Sequence, residues 1–139
     1  MLACRQYTKL PREAAQIRQE VFVEEQGFAV EFDEIDPIAR HIVLFEDGAP
    51  AGTCRVYWNS SKNSHVIGRV AVRKEFRGRS FGGQLLQEAE QLVRSLQGKT
   101  LCLAAQVRVK VFYEKCGYTE AGEHFLDEGC PHVWMYKTL

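Results

Sequence analysis

The chain has 139 residues, 45% of them hydrophobic and 26% charged, with 18 basic and 18 acidic side chains and a formal net charge of zero. That size and balance suit one soluble domain with its own core, exclude a second domain, and supply no basic excess for a nucleic-acid partner. No apolar run approaches the roughly 20 residues of a membrane span, and Arg5 and Lys9 interrupt the first ten residues, so neither a membrane partner nor a secretion signal is expected and the compartment is cytoplasmic.

In chain order, residues 2–7 read as a first strand, and Pro11 suits the first turn of a helix whose apolar stripe is Leu10, Ala14, Ile17 and Val21, with Gly27 as its stop. An acidic stretch follows: Glu24, Glu25, Glu31, Asp33, Glu34 and Asp36 occur with no Lys or Arg between Val21 and Ala39. Residues 41–46 and 51–58 read as strands joined by an Asp47-Gly48 hairpin turn, and 59–64 as a polar turn before a strand at 65–72. Residues 73–79 are a basic connection. From Phe81 the apolar positions Phe81, Leu85, Ala89, Leu92 and Leu96 recur at helical spacing, ending at Gly98. A short buried strand at 100–104, a short helix at 110–115 stopped by Gly117, and a last strand at 133–137 complete the set. Helices interleaved with strands around one sheet give an α/β (α+β) domain with a mixed sheet. Five cysteines, an odd number with no C-x-x-C pair, argue against a disulfide framework and a zinc site. Asp33, Glu34 and Asp36 lack the loop glycine and terminal glutamate of a calcium loop, so no metal is expected.

The stretch V-A-V-R-K-E-F-R-G-R-S-F-G-G, residues 70–83, runs from a strand through a glycine-bearing turn into a helix. A helix N-terminus presents N–H groups without intrahelical partners and about half a positive charge, which suits a phosphate. Glycine costs about 1 kcal/mol in a helix relative to alanine, so the pair Gly82-Gly83 points to something that needs the missing side chains. This stretch resembles the acyl-CoA pyrophosphate loop of the GNAT superfamily of N-acyltransferases, Q/R-x-x-G-x-G/A. Arg77 takes the first position and Gly82 the last, while Ser80 replaces the usual first glycine. A serine of ordinary backbone conformation would cap the helix, whereas a positive φ there would strain it. The resemblance implies acetyl-CoA as cosubstrate, held by Val70, Ala71, Val72, Arg77, Gly78, Arg79, Ser80, Phe81, Gly82 and Gly83.

A second motif, Q-V-R-V-K-V-F-Y-E-K-C-G-Y at residues 106–118, is similar to the superfamily's N-x-x-A-x-x-F/L-Y-E-K-x-G-F, with Gln106 and Tyr113 at the asparagine and tyrosine positions. Residues 17–28, 31–36, His41 and 128–135 resemble the ElaA/YjcF-like group. Together these imply a single GNAT-like domain over residues 1–139, with a mixed, mostly antiparallel central sheet flanked by helices, that acetylates a primary amine by direct transfer in a ternary complex.

Such a transfer needs two aligned substrates, oxyanion stabilisation, a base for the ammonium and a proton for the departing thiolate. Unpaired N–H groups of the strand carrying Val70 and Val72 are expected to polarise the thioester. Tyr113, whose reference pKa of about 10 exceeds that of a thiol, is expected to protonate the thiolate in a favourable step. Glu25, Glu34, His41 and His132 are alternative bases, beside a water relay. Segregation of acidic residues from Arg69, Arg73, Lys74, Arg77 and Arg79 predicts a basic mouth for CoA and an acidic one for a cationic amine. Exposed sheet edges leave a homodimer open. The principal alternative is a non-catalytic acyl-CoA-binding domain; a covalent route through Cys130 near His132 is disfavoured, since residues two apart on a strand share a face without touching.

Overall fold

A computed structural model describes residues 1–28 and 32–139, so Glu31 of the acidic stretch lies outside the described residues. Seven strands form one sheet in the order β1-β2-β3-β4-β5-β7-β6: β1 Leu2–Tyr7, β2 Arg40–Glu46, β3 Ala49–Asn59, β4 Ser64–Val72, β5 Thr100–Gln106, β6 Thr119–Asp127 and β7 Cys130–Thr138. Every neighbouring pair is antiparallel except β4 and β5. The mixed, mostly antiparallel sheet expected from the sequence is the sheet observed.

The apolar runs dictate which faces are covered. In β2, Ile42 and Leu44 point to the face carrying α2 (Phe81–Ser95), while Val43 points to the face carrying α1 (Arg12–Arg18). All three are fully buried, which is why β2 reads as continuous rather than alternating. The α2 stripe is Phe81, Leu85, Leu86, Ala89, Leu92 and Val93; Leu96, expected on it, lies beyond the last helical residue and is exposed. The Asp47-Gly48 turn has φ of +50° and +86°, the left-handed pair a two-residue hairpin requires.

Two features differ from expectation. The helix begun at Arg12 widens from Gln19 to Glu25, with the Gln26 N–H reaching Val21 O, five residues back, at 3.1 Å. Strand β6 is absent from the expected set because T-E-A-G-E-H-F-L-D is polar and has no alternating pattern. It is an edge strand, exposed along most of its length, and its register with β7 slips between Ala121 and Phe125. No helix among the described residues is long and apolar enough to cross a membrane.

The segment 32–39 is fastened beneath the sheet by buried charge. Asp36, 6% exposed, accepts from Arg18 Nη1 at 2.8 Å and Nη2 at 3.0 Å and from Arg55 Nη1 at 2.9 Å. Arg55 also donates to both oxygens of Asp33, at 2.6 and 2.9 Å, and Arg69 reaches Asp33 at 3.2 Å. Burial alone would raise the Asp36 pKa; the hydrogen bonds from Arg18 and Arg55 outweigh it and hold the carboxyl down at about 2. A carboxylate depressed below its unfolded value stabilises the fold above that value and ceases to do so as pH falls through the folded value. Asp36→Asn, which breaks a buried pair, should therefore cost about 3–5 kcal/mol near neutrality by urea unfolding. The wild-type advantage should be complete above about pH 4 and disappear as pH falls towards 2.

Candidate active site

Strands β4 and β5 pair only at His65 with Leu101 and at Val66 with Cys102. Beyond those residues β4 stays on β3 and β5 follows β7. On β4 a bulge sets Arg69 and Val70 opposite Cys54, with Arg69 at φ +51°, and a bulge of this kind bends a strand and increases its twist. The gap between the diverging strands is a cleft of about 1710 Å³, bordered by Ile67 to Val72 on one side and by Leu103, Ala104 and Gln106 on the other. Successive residues of a strand direct their backbone groups to opposite sides. Alternate N–H and C=O groups of Ile67 to Val72 thus face the gap, without β5 partners.

At one end of the cleft lies the turn into α2. Gly78 has φ +79° and Ser80 φ +63° with ψ +23°, so Ser80 is left-handed and its hydroxyl makes no capping bond. Of the two outcomes open for Ser80, the strained one holds. The first helical bond runs from Gln84 N–H to Ser80 O, which leaves the N–H groups of Phe81, Gly82 and Gly83 without intrahelical acceptors. A Cβ on Gly82 would stand 3.1 Å from the Phe112 ring; one on Gly83 would meet nothing within 4 Å. Close packing on the aromatic ring thus accounts for Gly82, whereas nothing in the protein requires Gly83.

The helix α3 (Lys110–Lys115) brings Phe112 and Tyr113 to the cleft, with Tyr113 half-buried. Burial pushes the Tyr113 phenol up to about 12. Across from it the β6–β7 hairpin contributes Phe125, His132 and Trp134. The His132 ring is buried and stacked on Phe125, and its Nδ1 lies 2.7 Å from Cys130 O. A carbonyl only accepts, so Nδ1 is the donor here, and in the neutral ring Nε2 carries the lone pair.

The cleft gathers Val70, Ala71, Val72, Arg77, Gly82, Gln106, Tyr113, Glu25 and His132 from the expected site residues. Glu34 is exposed and outside it. His41 is fully buried on β2, also outside it, donating from Nε2 to Asp36 O at 3.0 Å; burial lowers its pKa. Phe81 is a core side chain stacked on Phe76, and Arg79 lies over Phe76, so at those positions backbone N–H groups face the turn. Arg77 donates through both terminal nitrogens to Glu25, at 2.6 and 2.7 Å, and through Nε to Val72 O at 2.9 Å. Its guanidinium is thereby engaged as a strut, and the same bonds lower the Glu25 pKa. Likewise Arg73 pairs with Glu20. Acidic and basic segments that are separate in sequence are thus brought together in space, and the expected acidic mouth is largely neutralised.

Sequence reasoning missed Arg55, Tyr57, Gln26 and Trp134 as cleft residues, while Asp33 and Arg69, expected at the acidic and basic mouths, do border it. Arg55 carried a signal, as a lone charge in the apolar run C-R-V of β3. Gln26 did not: its Oε1 accepts from Gln106 Nε2 at 3.1 Å, a contact between residues 80 apart.

Residues 8–139 match the family model described as the acetyltransferase (GNAT) domain. Among curated proteins, the uncharacterized N-acetyltransferase YjcF of Bacillus subtilis is 33% identical over 129 residues, covering 91% of each chain. A solved candidate N-acetyltransferase from Lactobacillus plantarum superposes with a TM-score of 0.90 at 30% identity, covering 99% of this chain and 98% of the other. Escherichia coli ElaA superposes with a TM-score of 0.85 at 26% identity, covering 99% of each chain.

The loop geometry sets two stabilities. Ser80→Gly relieves a left-handed residue and Gly83→Ala adds a methyl to open space within a helix, so each should raise stability by about 1 kcal/mol in urea unfolding. Loss of stability in Gly83→Ala would show that the fold itself needs that glycine.

Proposed function

Because the chain belongs to the GNAT acetyltransferase family, we propose that it moves the acetyl group of acetyl-CoA onto a primary amine by direct attack within a ternary complex. The observation that carries this reading is the divergence of β4 from β5 after Val66 and Cys102, which opens a channel edged by β4 backbone that β5 does not pair.

The CoA pyrophosphate would meet the N–H groups at the start of α2, where anionic charge is favoured by the helix dipole as well. The pantetheine arm runs in the gap, its amides paired with the exposed backbone of β4. An N–H near Val70 to Val72 polarises the thioester carbonyl and stabilises the oxyanion; one such donor contributes roughly 3 kcal/mol in other acyl-transfer enzymes. Gln106, whose amide is held by Gln26 and Arg108, borders the same channel.

The acceptor enters beside the β6–β7 hairpin as an ammonium and must lose a proton before it attacks. His132 is the base favoured by the geometry, since the Cys130 carbonyl fixes the tautomer with a lone pair on Nε2. The amine nitrogen then adds to the thioester carbon, the tetrahedral intermediate loses its second proton, and the carbon–sulfur bond breaks. The net change is acetyl-CoA plus an ammonium giving an N-acetyl amine, free CoA thiol and one proton.

The order of pKa values taken as favourable for Tyr113 has the opposite consequence. A phenol at about 12 is a weaker acid than a thiol, whose ordinary value is about 8.5, so complete transfer to a free thiolate is uphill. The value instead keeps Tyr113 protonated throughout the neutral range. It acts by donating a hydrogen bond to sulfur while negative charge develops there, and the departing thiolate takes its proton from the protonated base or from solvent, so that of the two protons the nitrogen loses one ends on sulfur and one in solution. With Glu25 and Asp33 tied to arginines, acceptor selection rests less on acidic attraction than on fit against Tyr57, Phe125 and Trp134.

The test is release of CoA thiol from acetyl-CoA across a panel of primary amines. Release that depends on the amine supports the enzyme; saturable acetyl-CoA binding with no transfer to any amine would favour a binding domain. Tyr113→Phe should lower kcat about 100-fold while leaving acetyl-CoA affinity unchanged. His132→Gln should lower kcat about 100-fold with KM for acetyl-CoA unchanged; an unchanged kcat would assign the base elsewhere.

A further inference from the structure

The helix carrying Tyr113 is six residues long, and none of its side chains is fully buried. So short a helix is marginal by itself, and its orientation has to be imposed from outside. A polar cluster away from the cleft meets its C-terminal end. Glu90, on the buried face of α2 and 6% exposed, accepts from the Tyr118 hydroxyl at 3.0 Å and from Lys137 Nζ at 3.1 and 3.2 Å. Lys137, on β7, also donates to Cys116 O at 3.0 Å, one of the carbonyls that the end of a helix leaves unpaired.

Fit accompanies charge in this cluster. Gly117 has φ +96°, and a Cβ there would stand 3.2 Å from Lys137 Cε, so the lysine stem runs close along the turn. Lys137 Nζ sits 5.6 Å from the centre of the Tyr118 ring. The link to Tyr113 is direct: its carbonyl accepts the N–H groups of Cys116 and Tyr118, each at 3.0 Å, and its ring meets the Tyr118 ring edge-on at 6.3 Å. Movement of the turn therefore carries Tyr113 with it. A buried ion pair gains little net stability over an apolar replacement of similar volume; what this one supplies is a fixed geometry among α2, β7 and the end of α3.

We propose that Glu90 and Lys137 are positioning residues for Tyr113, holding the turn after α3 so that the phenol stays seated against the thioester end of the cleft. The inference rests on the role given to Tyr113 above, and its test separates the two.

Lys137→Met leaves a buried carboxylate, so the double variant Glu90→Gln/Lys137→Met, which removes both charges and keeps an acceptor for Tyr118, guards against misfolding. Both are made with Tyr113 and with Tyr113→Phe, and the ¹³Cζ resonance of Tyr113 is followed at neutral pH. With Tyr113 present, kcat should fall about tenfold with KM for acetyl-CoA unchanged; with Tyr113→Phe no further fall should occur. The Tyr113 resonance should move in both variants. Equal fractional losses in the two backgrounds, unchanged kcat, or an unmoved resonance would overturn the proposal. If Tyr113→Phe is itself silent, the hydrogen-bonding role fails, and the resonance alone decides whether the cluster positions the ring.

Discussion

Everything functional in this molecule depends on how little β4 and β5 share. A parallel pair held at two registers leaves the rest of β4 and β5 apart, and the bulge at Arg69, three residues past the last paired residue, bends β4 further. The backbone groups left along Ile67 to Val72 would be costly if buried without partners. At the border of an open cleft they lie within reach of a ligand with amides of its own. The same divergence sets the site's two ends, because β4 runs on into the glycine turn and α2, while β5 runs on into α3 and Tyr113. A strand defect thus brings the free edge of β4, Gly82 at the start of α2 and Tyr113 to one cleft.

Charge does the fastening. Arg18, Asp36, Arg55 and Asp33 tie the segment after α1 to the underside of β3, and Glu20–Arg73 and Glu25–Arg77 tie the widened helix to the connection between β4 and α2. The exposed pairs each contribute little stability. Their geometric effect is larger, since they hold the widened helix against the connection that leads into α2. Arg77 illustrates the difference between a motif and its mechanism: it stands at the motif's first position, yet its guanidinium grips Glu25 and Val72 O while the N–H groups farther along the turn face outwards.

Most of the fold was legible because its signals are local. The Asp47-Gly48 turn, the α2 stripe and the run of β2 each announce an element without reference to the rest of the chain. The strand β6 was not legible, since an exposed edge strand needs no apolar pattern and is held by pairing with β7. In the site, the glycine turn and the helix bearing Tyr113 were readable from motif and spacing. His41 and Glu34 are not at the cleft, and no sequence pattern distinguishes a histidine on a strand that faces a core from one that faces a ligand. Contacts between distant segments, such as Gln26 with Gln106 and Asp33 with Arg55, come only from the topology. The acidic mouth inferred from segregated charges failed for the same reason, because the fold pairs what the sequence separates.

The central claim is that the gap between β4 and β5, with the start of α2 at its end, is an acyl-CoA channel. Calorimetric titration of acetyl-CoA into the wild-type protein and into Gly82→Trp tests it most directly. Saturable one-to-one binding to the wild type, lost in the variant whose side chain displaces Phe112 and crowds the start of α2, is the predicted result. Absence of binding to the wild type, or equal binding to both proteins, would contradict the account.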